Sequence, residues 1–319
     1  MSNSDLHIIE RIFTWRQAQL DVVLFTVIQT WGSSPRPIGS MLAICSNGEF
    51  AGSVSGGCVD DELLSRVAAG HFNQCSSHFI YFGETTASQI EFGLPCGGQL
   101  KLLVECEISL QFFTIILESL KNRQCISRRI FLDTQDPGLL NTTHADILHA
   151  DGHNMWRNYG PTWRMLLIGA GELSQFVCKF SALLDYHVIV CDPREAYQKS
   201  WPIETIVVNK HMPDDVVREI KPDERTIILT LSHDPKLDDM ALMTALQLKT
   251  FYIGALGSKK SSEERRIRLT ELGVSAQDIT RLHAPVGLDI GSRTPAEIAL
   301  AILADITARR HRKSLTATP

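Results

Sequence analysis

Two cysteines of this 319-residue chain lie in glycine-rich loops, where an exposed thiol can act as a soft metal ligand or a sulfur carrier. The loop residues are Gly56, Gly57 and Cys58 in one segment, and Cys96, Gly97 and Gly98 in another. The first cysteine directly precedes a predicted helix, whose N-terminus favours a thiolate, but Asp60 and Asp61 follow it and oppose that shift. The alternative role of both cysteines is that of small packing residues.

Residues 32–39 form a third glycine-bounded loop, between two apolar segments that are typical of strands. The loop contains two prolines, which limit its backbone, and Ser34 and Arg36, which are candidate ligands of an anionic group. The same composition also suits a purely structural turn.

A Gly-x-Gly turn at Gly169 and Gly171 follows one apolar segment and precedes a predicted helix that includes Glu172. Such a turn lets the backbone and the helix N-terminus approach a pyrophosphate, while a carboxylate after the next strand, here Asp192, can bind a ribose hydroxyl. Ser174 replaces the usual third Gly or Ala, which weakens the match to a dinucleotide-binding fingerprint. The alternative is that the glycines only make the turn.

Two further side chains lie near this fingerprint in the predicted fold. Arg194 follows Asp192 by two residues and could reach an additional phosphate, although a surface arginine after a strand is equally expected. His233 follows a strand at the edge of the sheet where open α/β folds bind ligands. Its neighbour Asp234 points the opposite way on an extended chain, so the two do not form a dyad, and a loop-capping role for His233 is the alternative.

The elements that position these residues predict an α/β chain: an N-terminal α+β domain over 1–107, a connecting segment over 108–162 with at most one hairpin, and a C-terminal Rossmann-like doubly wound parallel sheet over 163–319. The first predicted parallel strand lies in the segment 164–172, where it enters a Gly turn, and the others are predicted at 187–192, 205–209, 226–232 and 251–256, separated by segments of helical period. The last helix has a capping box, with Thr294 at the N-cap and Glu297 at N3.

Composition excludes several classes of protein. A net charge of −5 gives no general attraction for nucleic acid, and no apolar run approaches the ~20 residues of a membrane helix. The N-terminal residues do not have the pattern of a signal peptide, so a cytoplasmic location is expected. The eight cysteines form no CxxC pair, which argues against zinc and thioredoxin motifs and predicts that most thiols are reduced.

Taken together, the segments resemble the XdhC/CoxI family of molybdenum cofactor insertion chaperones, which serve xanthine dehydrogenase and related aldehyde and carbon monoxide oxidoreductases. The resemblance covers both halves of the chain in the order of the family. The matching segments are 32–42, 52–64, 93–98, 166–174, 191–195, 231–235, 252–266 and 287–306.

The resemblance implies an N-terminal XdhC/CoxI-type domain, a homodimer, and no enzymatic activity of its own. It implies that the cargo is mature molybdopterin or its cytosine dinucleotide form, which a cysteine desulfurase sulfurates before insertion into an apo molybdoenzyme of the xanthine dehydrogenase/aldehyde oxidoreductase family. A molybdenum cofactor cytidylyltransferase is a further expected partner. Cys58 and Cys96 are then expected as transient molybdenum ligands, with the fingerprint residues Gly169, Gly171, Asp192 and Arg194 at the nucleotide end.

Two other functions remain open at this point. An NAD(P)-dependent oxidoreductase would use the C-terminal domain and leave the Gly-Cys segments without a role. A thiol-based sulfurtransferase would carry a persulfide on Cys58 or Cys96 without retaining a pterin.

Overall fold

The computed structural model describes residues 3–31, 36–73, 76–83, 99–106, 108–131, 138–141, 148–151 and 154–315. The chain divides into two compact units, Met1–Thr162 and Trp163–Pro319. Each unit has its own sheets and its own hydrophobic clusters.

The first unit contains an antiparallel five-stranded sheet of order β3-β2-β1-β5-β4. Its strands are β1 (Val22–Trp31), β2 (Met41–Cys45), β3 (Phe50–Gly52), β4 (His78–Phe82) and β5 (Gln99–Glu105). Helix α1 (Asn3–Gln17) and helix α2 (Cys58–Ala68) both contribute to its cores.

Both faces of this sheet are covered, because alternate residues of a strand point to opposite faces. Leu24 of β1 belongs to the cluster that contains Ile12 of α1, whereas Phe25 belongs to the cluster that contains Leu63 of α2. A strand buried on both faces has a continuous apolar sequence, as β2 does.

Residues 108–162, predicted as a connecting segment with at most one hairpin, instead form a helix and a second sheet of the first unit. The helix is α3 (Leu110–Lys121), and the four-stranded sheet of order β7-β6-β9-β8 consists of β6 (Ile126–Phe131), β7 (Leu139–Asn141), β8 (Leu148–Asp151) and β9 (Asn154–Tyr159). Helix α3 buries Phe113, Ile116, Leu117 and Leu120 against the cluster that includes α1. That spacing is helical, and it was the available signal for α3.

The second unit is a six-stranded parallel sheet of order β12-β11-β10-β13-β14-β15, which confirms the predicted Rossmann-like architecture. Its strands are β10 (Arg164–Ile168), β11 (His187–Cys191), β12 (Val208–Asn209), β13 (Thr226–Thr230), β14 (Tyr252–Ala255) and β15 (Leu282–His283). The predicted strand at 205–209 shortens to the two residues of β12.

Helices lie on both faces of the parallel sheet. They are α4 (Glu172–Leu183), α5 (Glu195–Lys199), α6 (Pro213–Glu219), α7 (Pro235–Leu246), α8 (Lys259–Glu271), α9 (Ala276–Ile279) and α10 (Pro295–Leu315). On β10, Leu167 packs in the cluster of α4 and α10, whereas Leu166 packs in the cluster of α6, α7 and α8. The chain continues from β10 to β11 on one side and places β13 on the other, so the carboxyl ends of β10 and β13 flank a switch point.

The structure also tests the predicted capping box, the state of the cysteines and the predicted lack of a membrane helix. The capping box is confirmed: the Thr294 N–H donates to the Glu297 carboxylate (2.9 Å), and the Glu297 N–H donates to Thr294 Oγ1 (3.3 Å). Cys106 is disulfide-bonded and is an exception to the prediction that most thiols are reduced, while Cys45, Cys125, Cys178 and Cys191 are free. In the part of the chain that the structure describes, no helix is long and apolar enough to cross a membrane.

Candidate functional site

The Gly-Cys loop, residues 53–58, closes around the carboxylate of Asp60. The backbone N–H groups of Val54 and Ser55 donate to its Oδ1 (2.9 and 3.2 Å), and those of Gly56 and Gly57 donate to its Oδ2 (3.0 Å each). The Ser53 hydroxyl donates a fifth bond to Oδ2 (2.7 Å). Four consecutive N–H groups thus converge on one anion that belongs to the chain itself.

Asp60 and Asp61, which the sequence presents as two similar acids after Cys58, have different positions. Asp60 occupies the third position of α2 and is 8% exposed, with its side chain turned back across the helix N-terminus. Asp61 is exposed on the next position. The N-terminal partial charge of α2 therefore faces an internal carboxylate.

The other predicted residues of the first unit are described in part. Arg36 is exposed, and the loop that contains it ends at Gly39, whose carbonyl accepts a bond from the buried Arg157 guanidinium (2.8 Å). The structure describes the backbone of Cys58 as the first residue of α2. The remaining predicted residues of this unit, which lie outside the described residues, are Ser34, Cys96, Gly97 and Gly98.

In the second unit, the Gly-x-Gly turn lies at the carboxyl end of β10. Gly169 has φ 105°, and a Cβ there would be 2.5 Å from Ser232 Cα, so only glycine fits beside the chain that leaves β13. The Ser174 hydroxyl is buried and donates to the Gly169 carbonyl (2.6 Å), so serine at the third fingerprint position ties the helix to the turn. Gly171, the N-cap of α4, has open space at its Cβ position, and Glu172 is exposed on the first helical position.

Asp192 links this turn to the neighbouring strand. Its fully buried carboxylate accepts the Ala170 N–H at Oδ2 (2.8 Å) and the Arg194 N–H at Oδ1 (3.0 Å). The Arg194 guanidinium donates two further hydrogen bonds to this carboxylate, from Nε to Asp192 Oδ1 (2.9 Å) and from Nη2 to Asp192 Oδ2 (2.8 Å). Burial raises the pKa of Asp192, but the bonds from Arg194 and Ala170 outweigh it, and the pKa lies below its ordinary value.

The Arg194 side chain is held from two directions, since its guanidinium also lies over the Tyr197 ring at 3.8 Å from the ring centroid. A ribose hydroxyl could bind Asp192 only by exchange with one of these four hydrogen bonds. The arrangement instead presents Arg194, whose side chain is 27% exposed, at this edge of the sheet.

The predicted His233 lies beside the Gly-x-Gly turn, because it follows Ser232, the residue in close approach to Gly169. It is exposed and has φ 59°, whereas the helix cap is supplied by Asp234, which accepts the Lys236 N–H (3.0 Å). The capping role considered as the alternative for His233 is therefore filled by Asp234.

A buried ionic group supports this turn and was not found from the sequence. The Ser232 hydroxyl donates to Asp238 Oδ1 (2.6 Å), and Arg265 Nη2 lies 3.2 Å from Asp238 Oδ2. Arg265 Nη1 also donates to the Leu256 carbonyl after β14 (2.9 Å). Burial raises the pKa of Asp238. The pairing of residues 238 and 265 depends on the packing of α7 and α8, which no local motif encodes.

The structure therefore brings Gly169, Gly171, Asp192, Arg194 and His233 to one edge of the parallel sheet. It separately organises Gly56 and Gly57 around Asp60 at the start of α2. Among the described residues, no group of three His, Cys, Asp or Glu side chains could hold a metal ion.

Comparisons with known proteins match both units. A family model described as the XdhC Rossmann domain matches residues 165–306, and one described as the XdhC and CoxI family matches residues 15–74. A solved structure described as a xanthine dehydrogenase from Bacillus halodurans has the same fold, with a TM-score of 0.77 at 22% identity, covering 100% of this chain and 98% of that chain.

Two curated relatives extend over most of the chain. The molybdenum cofactor insertion chaperone PaoD of Escherichia coli (strain K12) is 26% identical over 302 residues, which are 93% of this chain and 86% of PaoD. A protein of Bacillus subtilis (strain 168) described as a probable xanthine dehydrogenase subunit is 24% identical over 323 residues, covering 92% of this chain and 94% of that protein. With one family model on each unit and two relatives that extend over both, the chain is similar to XdhC and CoxI proteins in both of its units.

Proposed function

We propose that this protein binds the mature molybdenum cofactor as cargo and inserts it into an apo molybdoenzyme, without catalysing a reaction of its own. The observation that carries the proposal is the similarity to the insertion chaperone PaoD over 93% of the chain, which includes both glycine-loop systems. Release to a target enzyme requires that the cargo be held reversibly, through ligands that exchange.

In the first unit, the proposal assigns the metal-sulfur end of the cargo to Cys58. A thiolate is a soft ligand suited to molybdenum that already carries sulfur ligands. The internally bonded Gly-Cys loop supports this assignment, because its amides face Asp60 and the cysteine is the loop's remaining chemically reactive residue. Other proposed cargo ligands of this unit are Ser34, Arg36, Cys96, Gly97 and Gly98.

In the second unit, the proposal assigns a phosphate of the cargo to the Gly-x-Gly turn. The open space at Gly171 and the N-terminus of α4 suit an anion, and Arg194 supplies a cation at the same edge. Asp192 contributes by holding Arg194 and the Ala170 N–H, whereas direct ribose binding by Asp192 would require one of those bonds to open. A phosphate end occurs in both molybdopterin and its cytosine dinucleotide form, and both remain candidate cargoes.

The proposed partners follow from delivery of this cargo. The recipient is an apo molybdoenzyme of the xanthine dehydrogenase/aldehyde oxidoreductase family, and a cysteine desulfurase supplies the terminal sulfido ligand while the cofactor is bound. A molybdenum cofactor cytidylyltransferase would supply the dinucleotide form. We further propose that the chaperone acts as a homodimer in the cytoplasm.

The test is to purify the protein from cells that make the molybdenum cofactor and to measure three bound species: pterin by fluorescence after oxidation, released CMP, and nicotinamide. Bound pterin that activates an apo molybdoenzyme is expected, and CMP distinguishes the dinucleotide cargo. Stoichiometric NAD(P) without pterin would contradict the proposal and indicate an NAD(P)-dependent oxidoreductase. Catalytic sulfur transfer without retained pterin would replace it by a sulfurtransferase.

A cysteine variant makes the test specific. Cys58→Ala is expected to lose pterin and activation of the target enzyme. Cys125→Ala, which removes a free and only partly buried thiol of the same unit, is expected to retain both. Retention of cargo and activation by a folded Cys58→Ala protein would contradict the role of this thiol.

A further inference from the structure

We propose that Asp60 is the positioning residue of the cargo site: its carboxylate holds the Gly-Cys loop in the one shape that presents Cys58 to the cofactor. The inference rests on the proposed function of Cys58. It concerns a residue that contacts the loop backbone and acts through the cysteine two positions before it.

Side-chain packing and backbone preference do little to fix the two glycines of the loop. Gly56 adopts φ 82°, a conformation that glycine enters easily and also leaves easily. Gly57 has nothing within 4 Å of its Cβ position, so side-chain packing does not fix it. Ordering two successive glycines costs conformational entropy, which must be offset by other interactions. The N–H groups of Gly56 and Gly57 both donate to the Asp60 carboxylate, which is the charged acceptor at these two residues.

Two serine hydroxyls connect the loop backbone to Asp60. Besides donating to Asp60, the Ser53 hydroxyl accepts the Gly56 N–H (2.8 Å). The Ser55 hydroxyl accepts both the Gly57 N–H and the Asp60 N–H (3.3 Å each). The two serine side chains and the aspartate are therefore all committed to the backbone that leads into Cys58.

This arrangement also separates two kinds of recognition. Consecutive N–H groups that converge are a common binding site for phosphate, and the Gly-rich sequence alone is compatible with that use. Here the four N–H groups from residue 54 to residue 57 already bind a carboxylate. The Gly-Cys loop therefore offers its cysteine to the cargo, and its amides do not compete for the phosphate end.

Asp60→Asn tests the proposal, because the amide keeps the size of the side chain but loses the charge and replaces one acceptor oxygen by an NH2 donor. Asp61→Asn is the matched control: it removes the same charge from the adjacent, exposed position. Asp60→Glu keeps the carboxylate and tests rescue. All variants are made in the full chain and compared with Cys58→Ala.

The first measurement is amide hydrogen exchange of peptides that cover residues 53–58. We expect Asp60→Asn to accelerate exchange there by about tenfold, which corresponds to losing one charge-assisted bond per opened amide. Asp61→Asn should leave it unchanged, and Asp60→Glu should lie between wild type and Asp60→Asn. Exchange of the buried β2 strand should remain that of the wild type. Faster exchange throughout β2 would overturn the proposal, because Asp60 would then stabilise the unit in general.

The second measurement is pterin retained on purification, together with activation of an apo molybdoenzyme. Asp60→Asn is expected to resemble Cys58→Ala, and Asp61→Asn to resemble the wild type. If Cys58→Ala loses the cargo and Asp60→Asn keeps it, the positioning role is overturned and the proposed function stands. If Cys58→Ala keeps the cargo, the proposed role of the thiol falls, and the exchange data alone decide whether Asp60 orders the loop.

Discussion

Replacing Arg194 by alanine should destabilise the second unit by more than an exposed charge on the same helix would. The substitution removes two hydrogen bonds to a fully buried carboxylate, at 2.9 and 2.8 Å, and the stacking over Tyr197. A hydrogen bond to a charged group contributes ~1.5–3 kcal/mol. Because the Arg194 side chain is 27% exposed, solvent screens part of its attraction to Asp192. We therefore expect Arg194→Ala to lower the free energy of unfolding by about 2 kcal/mol at pH 7.

The matched control is Lys199→Ala, on the helix that Arg194 caps. Lys199 pairs with Glu195 at 2.6 Å, but both side chains are about three-quarters exposed, at 75% and 76%. An exposed pair of this spacing contributes about 0.3–0.5 kcal/mol. The contrast between the two variants separates the buried acceptor from the general effect of removing a positive charge near α5.

Amide exchange of β10 and β13 reports opening of the second unit, to which both strands belong. A loss of 2 kcal/mol accelerates the exchange of their most protected amides by roughly 30-fold, whereas Lys199→Ala should change it by about twofold. Equal effects of the two variants would refute the assignment of a buried, charge-assisted bond to Arg194.

The pH dependence follows from the pKa of Asp192, which is lowered in the folded chain. A lowered carboxylate pKa stabilises the fold above the pKa of the unfolded chain, ~3.9, and this contribution is lost as pH falls through the folded value. In Arg194→Ala, burial and the two backbone N–H bonds remain, but the side-chain bonds and the charge of Arg194 are lost, so the pKa of Asp192 rises. The difference in unfolding free energy between wild type and Arg194→Ala should therefore have its full value at pH 7 and be smaller at about pH 4. A difference that grows on acidification would show that another group is responsible.

The remaining predictions concern backbone fit and a buried ion pair. Gly169→Ala should lower the free energy of unfolding by at least ~3 kcal/mol, because the φ of Gly169 is positive and the new Cβ would clash with the Ser232 backbone. Gly171→Ala should lower it by under ~1 kcal/mol, because the space at its Cβ position is open. Amide exchange of β10 measures both effects. In the first unit, Glu105→Gln should lower the free energy of unfolding by ~3–5 kcal/mol, because it leaves the buried Arg128 cation without its carboxylate. Accelerated amide exchange of β5 would show this loss. A loss below ~1 kcal/mol would contradict a desolvated ion pair.

The parallel sheet could be predicted from the sequence because its signals are local. Strands β10 and β13 are continuous apolar runs buried on both faces, and each is followed by a turn and a helical period. The prediction for β12 is too long, because Val207, although apolar, is 86% exposed, and pairing with β11 extends only over Val208 and Asn209. Apolar character predicts a strand, but the end of a ladder depends on its partner.

The second sheet of the first unit could not be predicted in the same way. Strands β6 and β9 pair Ile126 with Tyr159, far apart in the sequence, and both strands contain buried arginines. Arg128 is buried because it meets Glu105, and Arg157 because it meets the Gly39 carbonyl. Charged residues normally indicate exposed positions, so these strands resemble a polar connection until their distant partners are known.

The two glycine motifs show a related limit of sequence reasoning about the site. The sequence correctly predicts a turn at each, since Gly56 and Gly169 have positive φ. What the glycines do not reveal is where the neighbouring N–H groups point, because that depends on an acceptor elsewhere in the chain. In each unit the acceptor is an internal carboxylate: Asp60, three residues after the Gly57 N–H it binds, and Asp192, 22 residues after the Ala170 N–H.

Internal carboxylates change what these loops can recognise. An amide that already donates to a buried anion adds little attraction for a second one, so an external anion would bind at groups that the carboxylates leave open. In the second unit those are the Gly171 turn, at the start of α4, and the exposed part of Arg194. In the first unit, the proposed cargo ligand beside the bonded amides is Cys58, the first residue of α2. We therefore expect each loop to bind cargo through the groups whose hydrogen bonds the fold has not already used.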